Sequence, residues 1–181
     1  VKVGSQDQWY SFSEPFQNFL YENPSDSRSR VNFMKYTVPE TGNTYSWINK
    51  FPGEWEDGVR YFTSDIPLYR YSEAILFKAE IENEKGGDPL PWLNRIATRA
   101  YGSAIYGEMD YDSMNEAIFN ERLKEFAAEG KSWWDYIRMG YVFTKTPSLA
   151  GRQNETNILL WPIASDCFSD NPNMVQTLGY N

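Results

Sequence analysis

Histidine is absent from all 181 residues. That excludes imidazole catalysis, the usual zinc ligand sets and a charge switch near neutral pH. Cysteine occurs once, at Cys167, so no internal disulfide can form. Its surroundings, IASDCFSD, lack the apolar run of a lipid-attachment signal, and a buried, unreactive thiol is the expectation. No stretch approaches the ~18 consecutive apolar residues of a spanning helix. Basic runs are missing as well: 17 Lys and Arg stand against 25 Asp and Glu, a net charge of −8 that disfavours nucleic-acid or anionic-membrane binding. The first residue is Val rather than Met, as expected of a processed chain or an excised part.

Aromatic residues, by contrast, make up 17% of the chain, with 13 Tyr and 7 Trp, more ring surface than a core of this size consumes. The length is that of one domain able to bury a core without staples. The most organised stretch is 112–140. Asp112 or Ser113 is a suitable N-cap, with Glu116 completing a capping box. Met114, Ala117, Ile118, Phe126 and Ala127 supply an apolar stripe, and Gly130 offers the left-handed position that ends a helix. Lys131 to Met139 reads as a second, short helix whose Trp133, Trp134, Tyr136 and Ile137 should lie in a core.

Glu121, Glu125 and Glu129 recur every fourth residue in that stretch. Like charges so spaced cost ~0.2–0.5 kcal/mol per pair on an isolated helix, so cations are expected to face them. Arg95 and Arg99 form a matching stripe, with Arg122 and Arg138 as local alternatives. An active-site reading would make two of these carboxylates an acid and a base. A salt-bridge ladder between packed helices is the simpler reading, and no catalytic residue is assigned.

Elsewhere, Phe16, Phe19 and Leu20 mark a short helix ended by Asn23-Pro24. Ser25 to Arg28 is a turn, and Val31 to Val38 alternates as a half-buried strand. A first long helix is expected from about Pro67, with Leu68, Tyr71, Ile75, Leu76 and Ala79 on its apolar face, stopped by Gly86-Gly87. A second runs from Asp88-Pro89 through Trp92, Leu93, Ile96 and Ala97. Near the C-terminus, Ile158 to Ile163 reads as strand-like. The fold class is mostly α with long irregular loops and a few short strands. Its parts are a loop-rich, aromatic segment at 1–64, helical hairpins at 65–140 and an irregular segment at 141–181.

Residues 39–62 carry Pro39, Gly42, Pro52, Gly53 and Gly58, which exclude a long helix and predict an irregular loop. Tyr36, Tyr45, Trp47, Phe51, Trp55, Tyr61 and Phe62 fall in or beside it, among short amides and carboxylates. A pyranose offers an apolar C–H face to stack and a rim of hydroxyls to hydrogen-bond, so rings flanked by amides suit a sugar. Tyr45 and Trp47, two apart on an extended segment, would point the same way. They are the foremost candidate ligand contacts, with Trp55 next and Asn43 and Asn49 for the hydroxyl rim. The competing reading is that these rings pin the loop to the body.

Several runs carry a family resemblance. NERLKEFAAEGKSWWDYIRMG resembles the C-terminal signature of the SusD/RagB family, through Glu121, Arg122, Glu125, Glu129, Gly130, Trp133, Trp134, Asp135, Arg138 and Gly140. Arg70, Tyr71, Glu73, Leu76, Ala79 and Glu80 are similar to a helix motif of that family, and Leu93, Asn94, Arg99 and Ala100 to another. The Asp26-Ser27-Arg28 turn and the closing Pro162, Ile163, Asn171, Pro172, Gln176, Gly179 and Tyr180 are similar too. The resemblance implies tetratricopeptide-like helical hairpins and the C-terminal part of a longer protein. It implies an outer-membrane, surface-exposed lipoprotein of Bacteroidetes that captures glycans without catalysis or cofactor. It also implies a lipid anchor outside this chain and a partner TonB-dependent β-barrel transporter that receives the ligand. A peptide-capturing member of the same family, a helical protein–protein adaptor and a glycosidase remain the alternatives.

Overall fold

The computed structural model describes residues 11–155 and 157–180. The chain forms two compact units that meet in sequence between Ser132 and Trp133.

Three helices build the core of the first unit. α3 (Tyr71–Glu84) and α4 (Leu90–Tyr101) form a hairpin through a short turn in which Gly86 takes φ +68°. α5 (Tyr111–Glu125) packs on both. Leu76, Ala79, Leu93, Ile96, Ile118 and Phe119 are buried between them. A second cluster lies under α1 (Glu14–Tyr21), where Leu20 meets Phe33 and Ala127, with Phe12, Phe16 and Phe19 packed against them.

α3 starts at Tyr71, not near Pro67, and Ile66, Leu68, Tyr69 and Tyr71 are exposed. The reason is the extended backbone of Arg70 (φ −146°, ψ 163°), which sends its guanidinium to α5 instead of continuing a helix backwards. α5 also begins earlier than expected. Asp110, not Asp112 or Ser113, is its N-cap, and the Asp110 carboxylate accepts from the Ser113 N–H at 3.0 Å. The helix ends at Glu125, because the Glu125 carbonyl accepts from Lys50 Nζ (2.8 Å) and from Arg70 Nη2 (2.7 Å). Two cations at the negative end of a helix are favourable. The chain then turns through Ala128 (φ +63°) and Gly130 (φ +74°), the left-handed glycine that the sequence indicates.

The strand expected over 31–38 is shorter. Val31 and Asn32 close the one-turn helix α2 (Ser29–Asn32), and β1 covers Phe33–Thr37. β1 pairs antiparallel with β2 (Thr44–Ile48), with Tyr36 opposite Tyr45 and Met34 opposite Trp47. β3 (Glu54–Glu56) pairs with β4 (Val59–Tyr61). The segment expected to be an irregular loop is therefore two hairpins. Asp57 (φ +49°) and Gly58 (φ +78°) form the second turn, an Asp-Gly hairpin signal that reading Gly58 only as a breaker overlooks.

In the second unit, α6 (Ser132–Arg138) is followed by α7 (Val142–Lys145), a 3-10 turn at Pro147–Leu149 and α8 (Ser165–Asp170). The expectation that both tryptophans of α6 are core residues does not hold. Trp134 is 65% exposed and Trp133 half-buried, while Asp135 is buried and accepts from Arg138 at 3.0 Å. A seven-residue helix has room for only a narrow buried face, and a carboxylate occupies it. Ile137 is half-buried too. Ile158 to Ile163 forms no strand: Ile158 and Leu159 lie in a turn, and Trp161 to Ile163 take no regular structure. The Gln176 side chain replaces a partner strand there, since its Oε1 accepts from the Ile163 N–H (2.8 Å) and its Nε2 donates to the Ile163 carbonyl (3.0 Å). Cys167 is exposed on α8, not buried, because that short helix lies at the surface with no buried residue. Among the described residues, no helix is long and apolar enough to cross a membrane.

Candidate functional site

The three glutamates are the anchor on which the aromatic hairpins hang. The side chains of Glu121, Glu125 and Glu129 are each at most 1% exposed, so each charge needs a partner. Arg28, delivered by the turn at 25–28, spans two of them. Its Nη1 reaches Glu121 Oε1 at 2.7 Å and Glu125 Oε2 at 3.0 Å, and its Nε and Nη2 hold Asp26. Arg70 binds Glu129 in a two-pronged fork at 2.8 and 2.9 Å and Glu125 Oε1 at 2.5 Å. Arg99 adds a further bond to Glu125. Lys50 Nζ lies 2.6 Å from Glu129 Oε1.

Ionisation follows this geometry. Burial alone would raise the Glu125 carboxyl, but the hydrogen bond and charge of Arg70, with the charges of Arg99 and Arg28, push it down to about 2. Burial works against the Arg28 charge as well, and its bonds to Asp26 and Glu121 hold it above the ordinary guanidinium range. Tyr101 and Tyr106 are raised by burial and by the Glu121 charge, so both phenols stay protonated and donate to Glu121 Oε2 at 3.0 and 2.7 Å. The stripe is thus neutralised by cations. Of the expected partners, Arg99 takes part. Arg95 instead lies 5.2 Å from the Tyr71 ring centre, Arg138 holds Asp135, and Arg122 stacks on Phe77 and Phe126. Arg28, Arg70 and Lys50 come from segments far away in sequence, and helix spacing gives no sign of them.

The consequence for the hairpins is positional. Lys50 follows β2 and Arg70 precedes α3, so both ends of segment 50–70 are clamped to Glu129 and to the Glu125 carbonyl. Arg28 sits just before α2 and β1. The loop-rich region is fastened where it leaves and where it returns.

Side chains opposite one another in an antiparallel pair share a face. One face of the β1–β2 hairpin carries Phe33, Lys35 and Thr37 with Thr44, Ser46 and Ile48, and it is packed at the Phe33 end, while Lys35, Thr37 and Thr44 are exposed. Phe33 is 1% exposed, and Gln17 of α1 donates to Ser46 Oγ at 3.2 Å. The other face carries Met34 and Tyr36 on β1 with Tyr45 and Trp47 on β2. Met34 and Tyr36 are exposed, and Tyr45 and Trp47 are half-buried. Asn43 and Asn49 continue the same alternation at the two ends of β2. Asn43 is exposed in the turn, and its carbonyl accepts from the Val38 N–H at 2.9 Å. The Asn49 N–H extends the ladder to the Asn32 carbonyl at 2.8 Å. Trp55 is not brought to this face. It stands on β3, a separate two-stranded sheet, 57% exposed and opposite Arg60. Met34 escapes sequence reasoning, and Tyr36 is counted among the aromatics there without a place on this face, because that place depends on the hairpin register. The alternation of FMKYT was the available signal.

The β3–β4 hairpin is tied down at its base. The Arg60 side chain donates to the carbonyls of Pro52 (2.7 Å) and Phe51 (3.2 Å) and stacks on Phe62. A Cβ at Gly53 would sit 2.2 Å from the Tyr61 carbonyl oxygen, so the close approach of the two strands requires glycine there.

The family model for the SusD family matches residues 35–180. The chain is 30% identical over 143 residues to the starch-binding protein SusD of Bacteroides thetaiotaomicron, covering 74% of this chain and 25% of that one. It is 28% identical over 127 residues to SusD-like protein P38 of Formosa agariphila, covering 65% and 25%. The chain therefore spans about a quarter of the length of the curated relatives it matches. Among solved structures, NanU of B. fragilis superposes with a TM-score of 0.75 at 29% identity, over 92% of this chain and 38% of that one. A SusD superfamily protein of Bacteroides vulgatus gives 0.72 at 27% identity, over 91% and 40%. The mostly helical fold, with its two small hairpins, is that of these proteins. With its family match running from β1 nearly to the last residue, this chain belongs to the SusD family.

Proposed function

We propose that the protein containing this chain captures glycan at the bacterial outer surface without catalysis and passes it to a TonB-dependent β-barrel transporter. Family membership supports this reading, as does a relative whose name is starch-binding protein. The location proposed is the outer membrane, with a lipid anchor outside this chain. A non-catalytic role fits the carboxylates. Glu121, Glu125 and Glu129 are buried and ion-paired, the opposite of a proton donor and acceptor facing each other across an open cleft.

The observation that carries the proposal is the outer face of the β1–β2 hairpin. Its other face is packed at Phe33, and Tyr36, Tyr45 and Trp47 stand together on a surface held by the ladder and by the Lys50 clamp. Ring faces held in place lose little entropy when a pyranose stacks on them. Tyr45 and Trp47 are proposed as the stacking residues, Asn43 and Asn49 as hydrogen-bonding partners for hydroxyls, and Trp55 as a contact from the neighbouring hairpin. The test is binding of the full-length protein to a glycan array and to a random peptide library. Saturable binding to a class of glycans is expected. Binding to peptides alone would overturn the proposal in favour of peptide capture.

A further inference from the structure

The two helices of the α3–α4 hairpin differ in what they show to solvent. On α4 the exposed positions are Pro91, Arg95, Thr98 and Arg99, a mostly polar set of the kind a helix turns to water. On α3, Ile75, Leu76 and Ala79 fill the side that faces the core. The other side carries Tyr71, Ala74, Phe77 and Ile81, whose spacings of three, three and four place them in one stripe. All four are exposed, Tyr71 by 67% and Ile81 by 44%. Phe77 remains exposed although the Arg122 guanidinium lies over its ring, 4.5 Å from the centre. A helix that is apolar on both sides is a helix with neighbours on both sides. Here α4 and α5 supply one of them.

The segment leading into α3 repeats the pattern. Ile66, Leu68 and Tyr69 are between 72% and 84% exposed. They are held in that position by polar anchors on either side. Arg70 is fixed by Glu125 and Glu129, the Leu68 carbonyl accepts from Lys131 Nζ, and the same ammonium lies 4.4 Å from the centre of the Tyr69 ring. Apolar side chains displayed on an anchored segment and continued along the next helix mark a surface that another element covers.

We propose that the outer stripe of α3 is an interface within one polypeptide, covered in the whole protein by a helix from the part that lies outside this chain. Two observations name that occupant. Stacked helical hairpins bury their faces against the next hairpin, and the one that ends a stack carries a polar outer face, which α3 lacks. The length of chain outside is also sufficient. NanU and the B. vulgatus protein superpose on 92% and 91% of this chain, yet the shared part is 38% and 40% of theirs, so the greater part of each lies beyond it. Ala74, between Tyr71 and Phe77 on the stripe, has a side chain small enough to let a second helix axis approach, with the larger side chains as ridges beside it.

The experiment is hydroxyl-radical footprinting of the wild-type full-length protein, read by mass spectrometry at a concentration where light scattering shows a monomer. Tyr71 and Ile81 should react at least tenfold more slowly than in the same protein unfolded in urea, as slowly as the buried Leu76. Reactivity of Tyr71 and Ile81 close to that of the unfolded protein would overturn the proposal, and so would protection that appears only in a dimer or only when a second protein is added. A full-length protein with Ile81 replaced by the photo-crosslinking residue p-benzoylphenylalanine then identifies the occupant. A product of monomer mass, joined to a peptide outside residues 1–181, is expected. A cross-link into residues 1–181, or a product of dimer mass, would overturn the proposal. If that variant does not fold or does not cross-link, the footprint of the wild type decides.

Discussion

Replacing Glu125 with Gln tests the ionic centre directly. The side chain is 1% exposed and meets Arg28, Arg70 and Arg99. Its carboxyl titrates near 2, against an ordinary 4.5. At ~1.36 kcal/mol for each tenfold change in proton affinity, that difference is about 3 kcal/mol. Removing one partner of a buried pair typically costs ~3–5 kcal/mol, so the two routes agree in scale. Glu125→Gln should lower the unfolding free energy at pH 7 by about 3 kcal/mol, read from urea unfolding followed by tryptophan fluorescence. The pH dependence gives a second check. The folded-state carboxyl is the stronger acid, so its contribution is complete above about 4.5, shrinks as the pH falls and is gone below about 2. The gap between wild type and variant should therefore narrow between pH 4.5 and pH 2. A loss under about 1 kcal/mol at pH 7, or a gap that does not change with pH, would refute the reasoning.

Leu76→Ala and Trp134→Ala should separate core from surface. Leu76 is fully buried and its truncation should cost about 2–5 kcal/mol. Trp134 is 65% exposed, and its truncation should shift stability by about 0.5 kcal/mol or less; equal losses in both would contradict the burial described. Gly53→Ala meets the Tyr61 carbonyl oxygen at φ +65° and should open the β3–β4 hairpin. Hydrogen exchange should then speed up over residues 51–62 while α3 to α5 keep their protection.

The helices were legible because their signals are local. The apolar positions at Leu76, Ala79, Leu93, Ile96 and Ile118 fell on the buried faces as periodicity predicts. Gly86 and Gly130 mark turns for the same reason. The start of α3 was not legible, because Arg70 is drawn into an extended conformation by carboxylates 55 and 59 residues away. The partners of the glutamate stripe were obscured in the same way. Spacing on the neighbouring helix pointed to Arg95 and Arg99, of which Arg99 meets Glu125, whereas the other contacts are made by Arg28, Lys50 and Arg70 from loops. Tyr45 and Trp47 were found from their two-residue spacing. Met34 and Tyr36 on the same face become visible only with the register of β1 against β2. Hydrophobicity misjudged Trp134 and Cys167, because short helices near a surface leave large or sulfur-bearing side chains exposed.

The central claim is that a packed hairpin, clamped by Lys50, presents Tyr45 and Trp47 to glycan. Titration calorimetry on the full-length protein, with the glycan that an array selects, measures it most directly. Stacking is worth ~1–3 kcal/mol per ring where aromatic platforms have been measured on bases. Tyr45→Ala and Trp47→Ala should each weaken binding tenfold or more, with melting temperatures close to wild type. Unchanged affinity in both variants would contradict the claim and assign the β1–β2 hairpin to packing alone.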